Sequence, residues 1–340
     1  MVRTLLTLAV GTAGGGLASL VGLPSPWLLG ALFAVLAASG CKVPVYMPAS
    51  TTTWISLFVG VSIASSIEAD IFEHISDWYL SIVMMIVMLG LVLTSLYYFY
   101  RFRCGWSGSD ALLCSVPGNL AVVLIFAAQA KLSVKRIALV HSVRLFFLVS
   151  VLPLLFPVVD RQSNGLAVEV AYTDLALVFV GAGVVGGVFR KLKVPAGMLV
   201  GAMAGALVLK FGLGVEPRIP TEWFRAVLVL LGTATAVRMA GLDLALLRQT
   251  IFGAVGGLTL ALSICAMFSL VLYFCFDVPL LQALLSYMPG GIEVMVAIAF
   301  STDVDPIFVA THQLLRVLIM CFALPLLFRA LGGDGESKPI

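Results

Sequence analysis

Long apolar runs of about 15 to 25 residues recur along the whole chain, and short polar turns separate them. Six runs occupy the first half, at about 4–22, 25–40, 51–67, 79–100, 109–130 and 136–158. Six more occupy the second half, at about 173–189, 196–211, 223–240, 250–276, 279–300 and 306–330. The apolar residues are continuous rather than alternating, and backbone groups in lipid must be satisfied within their own segment. Each run therefore predicts an α-helix.

The low content of charged residues places these helices in a membrane. Of 340 residues, 61% are hydrophobic and 11% are charged, whereas soluble domains carry roughly 25% charged residues. The formal net charge of +3 is too small to indicate an acidic or basic partner. The composition predicts an all-α integral membrane protein in contact with the lipid bilayer.

The two halves of the chain resemble each other in sequence. The segment "CSVPGNLAVVLIFAAQ" matches "SYMPGGIEVMVAIAFS", and "RLFFLVSVLPLLF" matches "RVLIMCFALPLLF". Pro117 and Pro289 lie 172 positions apart, as do Arg144 and Arg316. An offset that stays nearly the same over several runs indicates an internal duplication. We expect a first membrane repeat at 1–160, a linker at 161–172, a second repeat at 173–330 and a C-terminal tail at 331–340.

The distribution of Lys and Arg predicts how the helices are oriented. If the N-terminus is cytoplasmic and the fifth run of each half does not cross, basic loops fall inside and acidic loops fall outside. Each repeat then has about five spans plus one re-entrant or broken Pro-Gly hairpin. An odd number of crossings makes the two repeats inverted, an arrangement typical of secondary transporters. A fifth run that crosses as an unwound helix remains an alternative.

The fifth run of each half contains a Pro-Gly break. Proline removes a backbone donor, and glycine adopts conformations that a helix excludes, so such a break frees backbone polar groups at membrane depth. The helix that restarts points its positive end at the same place. Two equivalent breaks favour a substrate-binding site over two kinked, packed helices. The residues concerned are Pro117, Gly118 and Asn119 in the first half and Pro289, Gly290 and Gly291 in the second.

Two basic side chains lie deep in the sixth run of each half. His141 precedes Arg144 by three positions and His312 precedes Arg316 by four, so each pair shares a helix face. Two symmetric guanidinium groups suit a carboxylate or another oxyanion. The alternative is that each arginine ties hairpin carbonyls to its helix. The histidines fit proton carriage and packed, hydrogen-bonded roles equally well.

Glu293 follows the second break and has no acidic counterpart in the first half, where Ala121 takes its place. An acid there is favoured as a cap of the first helical turn. It also fits an ion pair with Arg316 or His312, or a site for a coupling proton or sodium ion. Asp110, at the mouth of the first hairpin, is expected to start a helix.

Several segments resemble the bacterial membrane family named for the AbrB duplication. They are "LPSPWLLGALFA" and "MPGGIEVMVAIAF" followed by "FVATHQLLRVL". The resemblance implies a relation to transporters with inverted repeats.

Members carry the labels "putative ammonia monooxygenase" and "AbrB family transcriptional regulator". A copper monooxygenase needs clustered histidines, and this chain has three, on different segments. A DNA-binding regulator needs a basic soluble module, for which the predicted loops are too short. Asn119 departs from the usual Pro-Gly-Gly pattern of the family.

These observations predict a secondary transporter of a small, anionic organic solute, coupled to protons or sodium, in the bacterial inner membrane. Arg144 and Arg316 would hold the solute, and Glu293, with His312 and His141 as further candidates, would carry the coupling ion. The alternative is a membrane sensor that regulates gene expression indirectly, through a protein partner. We expect no enzyme activity, no cofactor, no metal site and no direct nucleic-acid binding. A homodimer is compatible with the sequence.

Overall fold

In a computed structural model of the protein, helices make up all the regular secondary structure of the described residues. The described residues are 2–67, 78–117, 120–155, 172–215, 219–240, 244–302 and 304–330. The helices of the first half are α1 (Val2–Leu20), α2 (Pro26–Gly40), α3 (Ser50–Ser66), α4 (Tyr79–Tyr98), α5 (Gly108–Ser115), α6 (Leu120–Gln129) and α7 (Val134–Leu155). Those of the second half are α8 (Tyr172–Lys191), α9 (Gly197–Leu213), α10 (Thr221–Ala240), α11 (Leu244–Phe276), α12 (Leu280–Tyr287), α13 (Ile292–Phe300) and α14 (Pro306–Ala330).

Six of these helices are long and apolar enough to cross a membrane. They are α4 with the π-helical turn Phe99–Arg103 that continues it, α7, α8, α10, α11 and α14. The helices α2 and α9 are apolar but shorter. The chain is therefore a multi-pass helical membrane protein, as its composition predicts.

The fifth apolar run of each half is broken into two short helices. In the first half α5 ends at Ser115 and α6 begins at Leu120, and in the second half α12 ends at Tyr287 and α13 begins at Ile292. Each interruption falls on the Pro-Gly stretch, because a proline ring cannot be accommodated in a helix interior. The sequence predicts both interruptions to within a few residues.

The helices form two compact units that do not coincide with the sequence halves. The first unit comprises Met1–Ile71, Val149–Gly241 and Glu293–Ile307. The second comprises Phe72–Leu148, Leu242–Ile292 and Phe308–Ile340. Each unit therefore contains helices from both halves, and the second break lies where the chain passes from one unit to the other.

In the first unit, helices of one half pack against helices of the other half, an arrangement that we call exchanged packing. Helix α2 packs on α10, and α9 packs on α3. Two glycines allow the close approach: a Cβ at Gly60 would lie 2.5 Å from the carbonyl oxygen of Leu199, and one at Gly232 would overlap the carbonyl oxygen of Leu28. Gly60 and Gly232 lie 172 positions apart. Each of these helix pairs thus meets where a glycine removes the side chain.

The second unit is built around α4 and α11, which pack on each other. Each also packs on the first arm of a broken run, α4 on α5 and α11 on α12. At one end of the unit the rings of Tyr100 and Trp106 stack with centroids 4.7 Å apart. Gly256 and Gly257 of α11 leave the space for the rings of Phe99 and Tyr100. The first arm of each broken run is therefore packed against one long apolar helix.

Candidate functional site

The second break is tied to the last helix by a buried arginine. Arg316 on α14 donates from Nη1 to the carbonyl oxygen of Met288 (2.6 Å) and from Nη2 to that of Gly290 (2.9 Å). Both carbonyls lie at the interruption between α12 and α13, where the helix ladder leaves acceptors free. The structure thus shows the carbonyl tie that the sequence offers as one of two roles for this arginine.

Gln313, one turn before Arg316, belongs to the same network and is a functional candidate that the sequence analysis missed. Its Nε2 donates to the carbonyl oxygen of Leu285 (2.5 Å), and its Oε1 accepts from Arg316 Nη2 (2.6 Å). Three of the five N–H donors of Arg316 are therefore used. The available signal was positional, because Gln313 lies 172 residues after His141.

The first break has a matching network on α7. The Nε2 of His141 lies 3.0 Å from the carbonyl oxygen of Leu113, and Arg144 Nη2 lies 2.9 Å from His141 Nδ1. Pro117 is described and buried, whereas Gly118 and Asn119 lie outside the described residues. The arginine of each half is therefore bonded to the polar side chain one turn before it.

The two arginines are both buried in the second unit. Arg144 is 5% exposed and Arg316 is 1% exposed, and they lie within Coulombic range of each other. The Nε of each has no hydrogen-bond partner among the described residues. Among the described residues, Asp110 forms a salt bridge with Arg136 at 3.4 Å, and not with either of these two arginines. Two positive charges are thus buried without a carboxylate from the described residues, which favours an anionic ligand.

His312 lies in a different environment from the two arginines. Its Nδ1 is 2.8 Å from the carbonyl oxygen of Phe308 and its Nε2 is 2.8 Å from Ser81 Oγ. The rings of Trp78, Tyr287 and Phe308 pack around it. Both ring nitrogens therefore have a partner, and the imidazole joins α14 to α4 within the second unit.

Glu293, at the start of α13, belongs to the first unit and bonds to a serine of α3. Ser56 Oγ donates to Glu293 Oε1 at 2.9 Å. The residues 172 positions away are Leu228 for Ser56 and Ala121 for Glu293. Both members of the polar pair are thus replaced by apolar residues in the other half. The polar pair therefore has no polar counterpart at the corresponding positions, Leu228 and Ala121.

The ion pair of Asp110 and Arg136 lies at the start of the first broken run. Asp110 is in the first turn of α5, as the sequence predicts, and its backbone N–H donates to the N-cap Ser107 at 3.1 Å. Arg136 also covers the ring of Trp106, 5.4 Å from its centroid. Among the described residues there is no group of three or more metal-ligating side chains at this place or elsewhere.

Comparison with known proteins gives a family and one relative. A family model described as "Transition state regulatory protein AbrB" matches residues 27–332. The chain is 25% identical over 374 aligned positions to "Uncharacterized protein YhjN" of Bacillus subtilis (strain 168), covering 99% of this chain and 96% of that protein. No solved structure matches the chain.

Proposed function

The chain is a multi-pass membrane protein that belongs to the AbrB family, and we propose that it is a secondary transporter of a small organic anion. One observation carries the proposal. The guanidinium groups of Arg144 and Arg316 are both buried in one compact unit, within Coulombic range of each other and without a carboxylate partner among the described residues. A buried charge at membrane depth is costly and marks a solute or ion pathway.

The charge balance supports an anion as the solute. Carbonyl oxygens lower the cost of burying a guanidinium but do not cancel its charge. The Nε–H of each arginine is still available as a donor. An oxyanion between Arg144 and Arg316 would accept these bonds and offset the repulsion between the two charges. Backbone groups at the breaks, residues 117–119 and 289–291, would complete the site.

Matching contacts in the two halves support a duplicated fold, for which we propose an inverted arrangement. The helices α1 to α7 recur in the same order as α8 to α14. The glycine contacts of Gly60 and Gly232, and the arginine networks of Arg144 and Arg316, are equivalent in the two halves. We propose five spans plus one broken hairpin in each half, with a cytoplasmic N-terminus in the bacterial inner membrane. Symmetric broken helices are a common way to build a transporter site.

Ion coupling is proposed to reside at Glu293. Its carboxylate is the acidic group that follows a break, and the hydroxyl of Ser56 bonds to it. A carboxylate with a hydroxyl neighbour suits either a proton or a sodium ion. His312 was a second candidate from the sequence, but its two nitrogens are bonded to Phe308 and Ser81. That environment favours a packing role for the imidazole.

The test is uptake into proteoliposomes under an imposed pH or sodium gradient. A panel of labelled carboxylates, phosphate esters and sulfonates is offered to the wild type and to the variants Arg144→Gln, Arg316→Ala and Arg136→Gln. We expect uptake of at least one anion by the wild type, its loss in the first two variants, and its retention in Arg136→Gln. Equal uptake by all four proteins would contradict the role of the buried pair.

A second function, a membrane sensor that signals through a protein partner, is favoured by the description of the matching family model as a regulatory protein. The same buried arginines would then bind the anion without moving it across the membrane. No gradient-driven uptake from the whole panel, together with reproducible capture of a transcriptional regulator, would establish this alternative instead.

A further inference from the structure

His141 and Gln313 occupy equivalent places in the two halves, although their side chains differ. They lie 172 positions apart, as do Leu113 and Leu285. The Nε2 of His141 lies 3.0 Å from the Leu113 carbonyl oxygen, and the Nε2 of Gln313 lies 2.5 Å from the Leu285 carbonyl oxygen. An imidazole and a carboxamide thus make the same contact with the first arm of each broken run.

Both side chains also accept a hydrogen bond from the arginine one turn later. His141 Nδ1 is 2.9 Å from Arg144 Nη2, and Gln313 Oε1 is 2.6 Å from Arg316 Nη2. His141 is 1% exposed and Gln313 is 0% exposed, so water does not compete for these bonds. Each side chain therefore donates to a carbonyl with one atom and accepts from a guanidinium with another.

The arginine fixes the protonation of the imidazole. A guanidinium has donors only, so the Nδ1 that faces Arg144 must be an acceptor and carries no hydrogen. The Nε2 then carries the hydrogen and donates to the Leu113 carbonyl. The charged group that faces this ring among the described residues is Arg144 itself. A second proton on His141 would break the bond to Arg144 and place two positive charges in contact.

We propose that His141 and Gln313 are paired positioning residues, which orient Arg144 and Arg316 for the anion, and that His141 works as a neutral Nε2–H imidazole rather than as a proton carrier. The assignment rests on the proposed function for the identity of the ligand. The tautomer of His141 follows from the hydrogen bonds alone. A carboxamide reproduces both bonds of the imidazole, whereas a leucine of similar size reproduces neither.

The transport test compares His141→Gln with His141→Leu, and Gln313→His with Gln313→Leu, in the uptake assay. We expect the polar replacements to keep the KM for the anion within about threefold and to keep the pH profile of uptake. We expect the leucine variants to raise the KM at least tenfold, since a freely rotating guanidinium loses the fixed geometry on which charge-assisted bonds depend. Unfolding temperatures in detergent exclude variants that do not fold. A pH profile that changes in His141→Gln would overturn the proposal.

A spectroscopic readout separates this proposal from the proposed function. The protein has three histidines, so 15N-histidine labelling gives few signals, and the one that disappears in His141→Gln is His141. We expect that signal to show the neutral Nε2–H tautomer at every pH at which the wild type is active, and to change in Arg144→Gln. If no anion is transported but this signature is found, the positioning role stands and the transport proposal falls. An Nδ1–H tautomer or an imidazolium would overturn the positioning role.

Discussion

Replacing Gly60 by alanine tests the exchanged packing of the two halves. The new Cβ would lie 2.5 Å from the Leu199 carbonyl oxygen, 2.9 Å from the Ala202 Cβ and 3.1 Å from the Met203 amide nitrogen. Two of these atoms belong to the backbone of α9, so they cannot move aside as a side-chain end does. Helices α3 and α9 must separate, and overpacking of this kind costs about 1–3 kcal/mol. Alanine also gains about 1 kcal/mol of helix propensity over glycine, which masks part of the loss.

Gly183→Ala is the matched control for Gly60→Ala. A Cβ at Gly183, inside α8, meets nothing within 4 Å, so this variant receives the propensity gain without the overlap. The free energy of unfolding in detergent should therefore be lower in Gly60→Ala than in Gly183→Ala by about 1–3 kcal/mol. Gly232→Ala should lose as much as Gly60→Ala, because its Cβ would overlap the carbonyl oxygen of Leu28 on α2. Equal unfolding temperatures for Gly60→Ala and Gly183→Ala would refute the close approach of α3 and α9.

Two further substitutions test the polar contacts at the ends of the broken runs. Ser56→Ala removes the hydroxyl that bonds to Glu293, and a bond to a charged group contributes about 1.5–3 kcal/mol, so the rate of gradient-driven uptake should fall about tenfold or more. Ser62→Ala, which loses only a bond within its own helix, should leave that rate unchanged, and equal rates for the two variants would remove Ser56 from the coupling site. Asp110→Asn should lower the free energy of unfolding by about 1 kcal/mol or less, because its pair with Arg136 is partly exposed. Loss of uptake in this folded variant would instead place Asp110 on the solute pathway.

The positions of the broken helices were predictable because they depend on local chemistry. A proline followed by glycine interrupts a helix whatever its neighbours are, and both interruptions fall where the sequence places them. The first-turn position of Asp110 was predictable for the same reason, since an acid is favoured near a helix N-terminus. The long helices were likewise predictable from the apolar runs along the sequence.

The packing partners were not predictable, because hydropathy says which segments enter the membrane and not which of them touch. The exchanged contacts of α2 with α10 and of α3 with α9 depend on where single glycines remove a side chain. The division into two units that each draw on both halves follows from those contacts.

The hydrogen-bond partners in the candidate site could not be predicted from the sequence either. A serine such as Ser56 in an apolar helix commonly bonds to its own backbone, so its bond to Glu293 needed the fold. Gln313 was not among the candidates because a carboxamide carries no charge, and charge is what marks a functional residue at membrane depth. The structure shows that geometry, not residue type, relates Gln313 to His141.

Gradient-driven accumulation in proteoliposomes, with Glu293→Gln beside the wild type, tests coupled transport most directly. The amide keeps the size of the side chain and an oxygen for the Ser56 hydroxyl, but it cannot bind a proton or balance a cation. The wild type should accumulate the anion above its outside concentration, and the variant should exchange the anion between the two sides without accumulating it. Equal accumulation by the two proteins, or none by the wild type with any anion of the panel, would contradict the account.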